Sequence, residues 1–213
     1  SAVLTELNLQ PVINEEFPNG YSIRDKWKMA KEVGFVSKEH TAKELEEKTN
    51  KLALEILEKT ELDTKDGFID FLYEIKEEKK MKTAVITNTS SKVAVKILSC
   101  IGLENAFDLV LGSSEVKKHK PNPDIYKLAL KKLHLRPKEV LAFEDAIAGV
   151  ASSVKAGIDT IVIWDQTFHK FDYPHKALNF FGDFTPLVGN TDLDGKEYAI
   201  RELEKRQEIL KQQ

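Results

Sequence analysis

A single cysteine is all the thiol chemistry this chain of 213 residues carries, and Cys100 alone cannot close an internal disulfide. It lies in the apolar run VAVKILSCIGL, where a buried structural thiol is expected, because free cysteine behaves as a small hydrophobe. No apolar run approaches the ~18 residues needed to span a bilayer, and no secretory leader is read from the first residues. An excess of one charge is lacking too: 32 Lys and Arg stand against 35 Asp and Glu, interspersed, for a net charge of −3. That balance excludes the basic field by which a protein holds nucleic acid or acidic lipid. The expectation is a soluble protein of a reducing cytoplasm, with neither nucleic acid nor membrane as partner.

The length suffices for one α/β core of about 150 residues plus a small accessory unit. The most informative stretch runs from Leu111 to Gly157. In HKPNPDIY, Lys120 precedes two prolines that bar a helix until about Asp124, after which Ile125, Leu128, Ala129 and Leu133 recur at helical spacing. Lys120 is therefore expected on a loop just ahead of a helix. VLAF then reads as a short strand with Glu144 and Asp145 at its end, and AIAGVASSVKAG as a small-residue helix closed by Gly157. Acids at the carboxyl end of a strand stand where open α/β sheets bind ligands.

KPNPDIY and VLAFEDAIAGVASSVKAG resemble the third and fourth motifs of the haloacid dehalogenase superfamily, in the branch containing β-phosphoglucomutase and small-molecule phosphatases. The resemblance implies that Lys120 neutralises a substrate phosphoryl group and that Glu144 and Asp145 hold Mg2+. MKTAVITNTSSKVAVKIL reads as strand, polar turn and helix, with Ser90 or Ser91 able to cap the helix. It resembles the second motif, which assigns phosphoryl binding to Thr87 and Asn88. A plain capping turn is the alternative for these residues taken alone.

SAVLTEL opens as a short strand and resembles the first motif, which places the nucleophile, also a metal ligand, at Glu6 and the general acid at Asn8. The family carries aspartate at both positions, and Leu9 stands where it has glycine. The letters DLDG do occur later, in NTDLDGKEY, but Pro186 and Gly189 interrupt the preceding FTPLVGN. Asp192 and Asp194 are thus expected to form a turn or cap for a final amphipathic helix.

The resulting expectation is a doubly wound parallel α/β sheet, with a core formed by residues 1–13 and 63–190. A reduced helical cap over 14–62 is expected from YSIRDKWKMAKEV and SKEHTAKELEEKTNKLALEILEK. The second of these helices should be capped by Ser37 with His40 and carry an apolar stripe of Leu45, Leu52, Ile56 and Leu57. Residues 191–213 form a C-terminal extension. TKDGFIDFLYEIKEEKK should return to the core as an amphipathic helix through Phe68, Phe71, Leu72 and Ile75, while His169 and His175 are read as surface groups and Asp165 as a solvated turn residue or an outer member of the pocket. By resemblance the chain is a Mg2+-dependent phosphatase or phosphomutase acting on a small phosphorylated metabolite. The second reading is a non-catalytic relative that binds a phosphorylated ligand or serves as an interaction module, because Glu6 and Asn8 alter the two reacting positions.

Overall fold

The computed structural model describes residues 20–36 and 39–189. The expected first strand with Glu6 and Asn8, the residue Ser37, and the C-terminal helix with Asp192 and Asp194 lie outside the described residues. Helix α1 spans Ile23–Glu32 and is capped by Ser22, whose hydroxyl accepts from the Asp25 amide. Helix α2 spans Ala42–Leu57. Its start corrects the sequence expectation. Thr41 is the cap, and Thr41 and Glu44 satisfy each other's backbone amides in a capping box. The pair packs through Ala30, Val36 and Leu45, with Trp27 against them. It is pinned by the Trp27 indole donating to Thr49 Oγ1 at 2.9 Å and by Arg24 bound to Glu46. Of the expected stripe on α2, Leu45 is fully buried and Leu52 and Leu57 are half-buried, while Ile56 is exposed, so the stripe closes only at its N-terminal end.

The core begins with α3, Phe68–Tyr73, which runs on as a π-helical turn over Glu74–Glu78. Strands and helices then alternate: β1 Ala84–Ile86, α4 Ser91–Cys100, β2 Leu109–Leu111, α5 Asp124–Leu133, β3 Leu141–Glu144, α6 Ile147–Lys155, β4 Asp159–Ile163 and β5 Ala177–Phe181. Strand β1 pairs with β2, and β4 lies between β3 and β5; every pairing is parallel. Strand β4 shows how the layers close. Ile161 and Ile163 pack with Phe71 of α3 and with Phe181, Phe184 and Leu187, whereas Val162 points the other way, into Val150 of α6 and Tyr173. A strand buried on both faces reads as a continuous apolar run, as TIVI does. A second cluster joins Leu111 of β2 and Ala142 of β3 to Ile125, Tyr126, Ala129 and Leu130 of α5. Helices on both faces of parallel strands make this the expected doubly wound α/β fold.

Two local readings change. Cys100 is exposed, not buried: it is the last residue of α4, beyond the buried positions Val93, Ala94 and Leu98, and its thiol reaches the Leu57 carbonyl. Strand β5 had no sequence signal strong enough to mark it. Its five residues contain Asn179 and bulge against β4, so the strand depends on the template beside it. His169 and His175 are exposed as expected, and Asp165 is exposed and also lines a cavity. Among the described residues no helix is long and apolar enough to cross a membrane.

Candidate active site

Thr87 and Asn88 follow β1, Glu144 ends β3 with Asp145 next, and Lys120 precedes α5 by the few residues its prolines impose. All five line one cavity of about 410 Å³, which Gly20, Tyr21, Ile23 and Lys26 at the start of α1 also line. The sequence-derived residues within the described region are thus brought together. Glu6 and Asn8 lie outside it.

Lys120 is 5% exposed. Its Nζ donates to the Ile86 carbonyl at 2.8 Å and forms an ion pair with Glu144 Oε1, which also accepts from the Tyr126 hydroxyl. A buried charge requires such partners, since desolvation would otherwise push the group toward its neutral form. Burial, followed by the Glu144 charge, holds the Tyr126 phenol well above its ordinary pKa, so it stays a donor. Gly149 explains the small-residue helix α6: a Cβ there would overlap the Glu144 carboxylate.

Asn88 acts as a clamp. Its Oδ1 accepts from the Lys120 amide at 3.0 Å, and its Nδ2 donates to the carbonyls of Gly20 at 2.6 Å and Lys120 at 3.2 Å. With the side chain so committed, the group Asn88 can turn to a ligand is its backbone. The Thr87 hydroxyl accepts from the Thr89 amide at 3.1 Å, and Ser90 caps α4. Gly112 lets the end of β2 abut this turn, because a Cβ would meet the Ser90 carbonyl carbon at 2.7 Å. The turn at the head of α4 is held from both sides, which suits it to cradle an anion with backbone amides.

Asp145 is exposed at the cavity wall, and its carboxylate has no hydrogen bond or ion pair among the described residues. Its carbonyl accepts from the Tyr173 hydroxyl at 2.8 Å. Burial, with the charges of Asp165, Asp145 and Asp172, pushes the Tyr173 phenol up to about 12. A free carboxylate of this kind suits a hard cation that takes one or two carboxylates and retains water. Among the described residues no group of three or more acidic, His or Cys side chains gathers to hold a metal, so Asp145 and Glu144 are the donors in hand.

Sequence reasoning missed a junction between α1 and the Lys120 loop. His119, 6% exposed, sits with Nδ1 2.6 Å from Asp25 Oδ2 and 2.8 Å from Ser22 Oγ. The only available signal was a histidine beside the motif lysine, and nothing in sequence separation linked it to a helix cap 97 residues away. Burial opposes the Asp25 charge, but hydrogen bonds from Lys28, Ser22 and His119 outweigh it and lower the carboxyl from 3.8 to about 2. A depressed carboxyl adds stability above its unfolded pKa and loses it as pH falls through its folded one. Asp25→Asn is therefore expected to lower the urea midpoint at pH 6, and its gap from wild type should close as pH falls from 3.8 toward 2. A gap independent of pH would show that the Asp25 charge contributes nothing.

The profile of the haloacid dehalogenase-like hydrolase family matches residues 2–163. A phosphorylated carbohydrates phosphatase of Thermotoga maritima is 39% identical over 83 residues, 39% of this chain and 38% of that protein. Protein CbbY of Cereibacter sphaeroides is 32% identical over 134 residues, 61% of this chain and 58% of the relative. The chain thus spans from well under half to somewhat over half of these relatives' length. Among solved structures, CbbY from Rhodobacter sphaeroides in complex with xylulose-(1,5)bisphosphate superposes with a TM-score of 0.75 at 20% identity, covering 87% of this chain and 85% of that one. β-Phosphoglucomutase from Clostridium difficile gives 0.71 at 17% identity, covering 95% and 87%. At such identities the superpositions speak for the fold, and the profile, which spans more than half of the sequence and includes all five residues gathered at the cavity, shows that this chain belongs to the haloacid dehalogenase-like hydrolases.

Proposed function

We propose that the chain is a Mg2+-dependent phosphatase- or phosphomutase-type hydrolase of a small phosphorylated metabolite, in a soluble cytoplasmic setting. The observation that carries this reading is the convergence of Thr87, Asn88, Lys120, Glu144 and Asp145 on one cavity. In this reading the phosphoryl oxygens meet the Thr87 hydroxyl and the backbone after it, with Asn88 holding the Lys120 loop against that turn. Lys120 supplies positive charge beside the reacting group and is kept in place by Glu144. Asp145 would hold Mg2+, with Glu144 and Glu6 as its further carboxylates; the ion when bound offsets phosphoryl negative charge. Glu6 stands at the nucleophile's position and Asn8 at the general acid's. Residues 1–13 and 63–190 then form the catalytic core, 14–62 the reduced cap, and 191–213 an extension. The relatives described as phosphatases of phosphorylated carbohydrates support the substrate class.

The substitutions Glu6 and Asn8 favour a second reading, a family member that binds a phosphorylated ligand without turnover. A panel of phosphomonoesters assayed with and without Mg2+ separates the two: Mg2+-dependent phosphate release supports the enzyme, and binding without release supports the alternative. Calorimetry is further expected to find weak Mg2+ binding in the wild type that Asp145→Ala abolishes. Equal affinity in the two proteins would remove Asp145 from the metal site.

A further inference from the structure

Asp145 stands in a gap between two elements. The pairing of β3 with β4 ends at Glu144 opposite Val162, and α6 begins at Ile147 with no side-chain cap at Ala146. Asp145 lines the cavity, and its carboxylate has no hydrogen bond or ion pair among the described residues. Its peptide, by contrast, is held. The Tyr173 hydroxyl, from 28 residues further along the chain, donates to the Asp145 carbonyl at 2.8 Å. Tyr173 is 3% exposed, packs with Val150 of α6 and Val162 of β4, and meets the Phe180 ring of β5 edge to face at 5.4 Å. The loop that carries it is braced as well: the Trp164 indole donates to the Phe168 carbonyl at 2.8 Å, and the His169 amide to Asp172 Oδ2 at 3.1 Å. A buried phenol needs an acceptor. This one finds it in the peptide whose side chain is the proposed metal ligand, and so couples a packed aromatic cluster to the position of an otherwise unpartnered carboxylate.

We propose that Tyr173 is a positioning residue for Mg2+ binding: its hydroxyl fixes the Asp145 peptide, so that the carboxylate is in place before the ion arrives. This rests on the reading of Asp145 as a Mg2+ ligand. A ligand fixed in advance loses little conformational freedom on binding, and removing the group that orients it typically lowers metal affinity about 10–100-fold. Glu144 is oriented separately, since its Oε1 is engaged by Lys120 and Tyr126. The hydroxyl of Tyr173 thus acts on one of the two carboxylates and leaves the other alone.

The test is calorimetric titration of the full chain with Mg2+, alongside urea unfolding. Tyr173→Phe keeps the ring in its cluster and removes the hydroxyl alone. It is expected to weaken Mg2+ binding about tenfold or more, with a urea midpoint close to that of wild type. Val162→Ala loosens the same cluster and keeps the hydroxyl, so it should lower the urea midpoint and leave Mg2+ affinity within about twofold of wild type. Unchanged Mg2+ affinity in Tyr173→Phe, or an equal loss in Val162→Ala, overturns this assignment alone and leaves Asp145 a metal ligand placed without the hydroxyl. If wild type binds no Mg2+, the metal reading of Asp145 falls and this one with it.

Discussion

Replacing both Glu6 and Asn8 by aspartate is expected to raise phosphomonoesterase turnover by about 10²-fold or more. Glu6 keeps a carboxylate but adds a methylene, moving an attacking oxygen by about 1 Å, and misplacement on that scale can reduce a rate roughly a hundredfold. Asn8 has an amide where the mechanism requires a titratable acid, and general acid assistance is worth about 10²–10⁴-fold. Glu6→Asp alone should help less than the double change, because the leaving alkoxide would still lack its proton donor. An activated aryl phosphate, whose leaving group needs little protonation, should narrow the difference between single and double variants. Steady-state kinetics on both substrate types checks this. A double variant that folds and binds Mg2+ yet releases no phosphate from any ester would shift the assignment to the ligand-binding reading, with Leu9, Gln10 and Pro11 shaping the loop beyond repair by two aspartates.

The largest expected stability loss follows removal of Lys120. Its ammonium and the Glu144 carboxylate are both almost fully buried, at 5% and 7% exposure. Lys120→Met leaves the buried Glu144 carboxyl against Gly149 without its cation, with Tyr126 as its remaining donor among the described residues. Breaking a buried pair from one side typically costs about 3–5 kcal/mol, whereas replacing both partners with groups of similar volume is far milder. Lys120→Met should thus lower the unfolding free energy by about 3–5 kcal/mol in urea, and Lys120→Met with Glu144→Gln should recover most of it. A single variant as stable as wild type, or a double variant no better than the single, would show that the pair does not hold the site together. Activity should be lost in both variants, since the double change also removes a carboxylate proposed to hold Mg2+.

Some of this organisation was legible because it depends on neighbours in sequence. Pro121 and Pro123 bar helix, and α5 begins at Asp124, leaving Lys120 on its loop. The turn after β1 was legible from Ser90 ahead of an apolar-periodic run, and α6 from the small residues before Gly157, which takes φ +84°. The Thr41 and Glu44 box is equally local, yet it shares one polar stretch with Ser37, and local sequence does not separate the two caps. Cys100 departs from the expected burial for a different reason. Apolar neighbours along a chain do not reveal where a helix outruns the sheet it packs on.

The sequence by itself determined the alternation of strands and helices and the placement of Thr87, Lys120 and Asp145 at strand ends or loops. These follow from periodicity, turn chemistry and residue type, all of which act over a few positions. Only the tertiary structure decided that Glu144 turns to Lys120 and Tyr126, that Asn88 serves as a clamp, and that His119 fastens α1 to the core. It alone gave β5 a partner and set the start of α1 at the cavity. The reason is that a side chain's hydrogen-bond partner, and the solvent it keeps or loses, depend on which distant segments pack beside it. Local sequence carries no term for either.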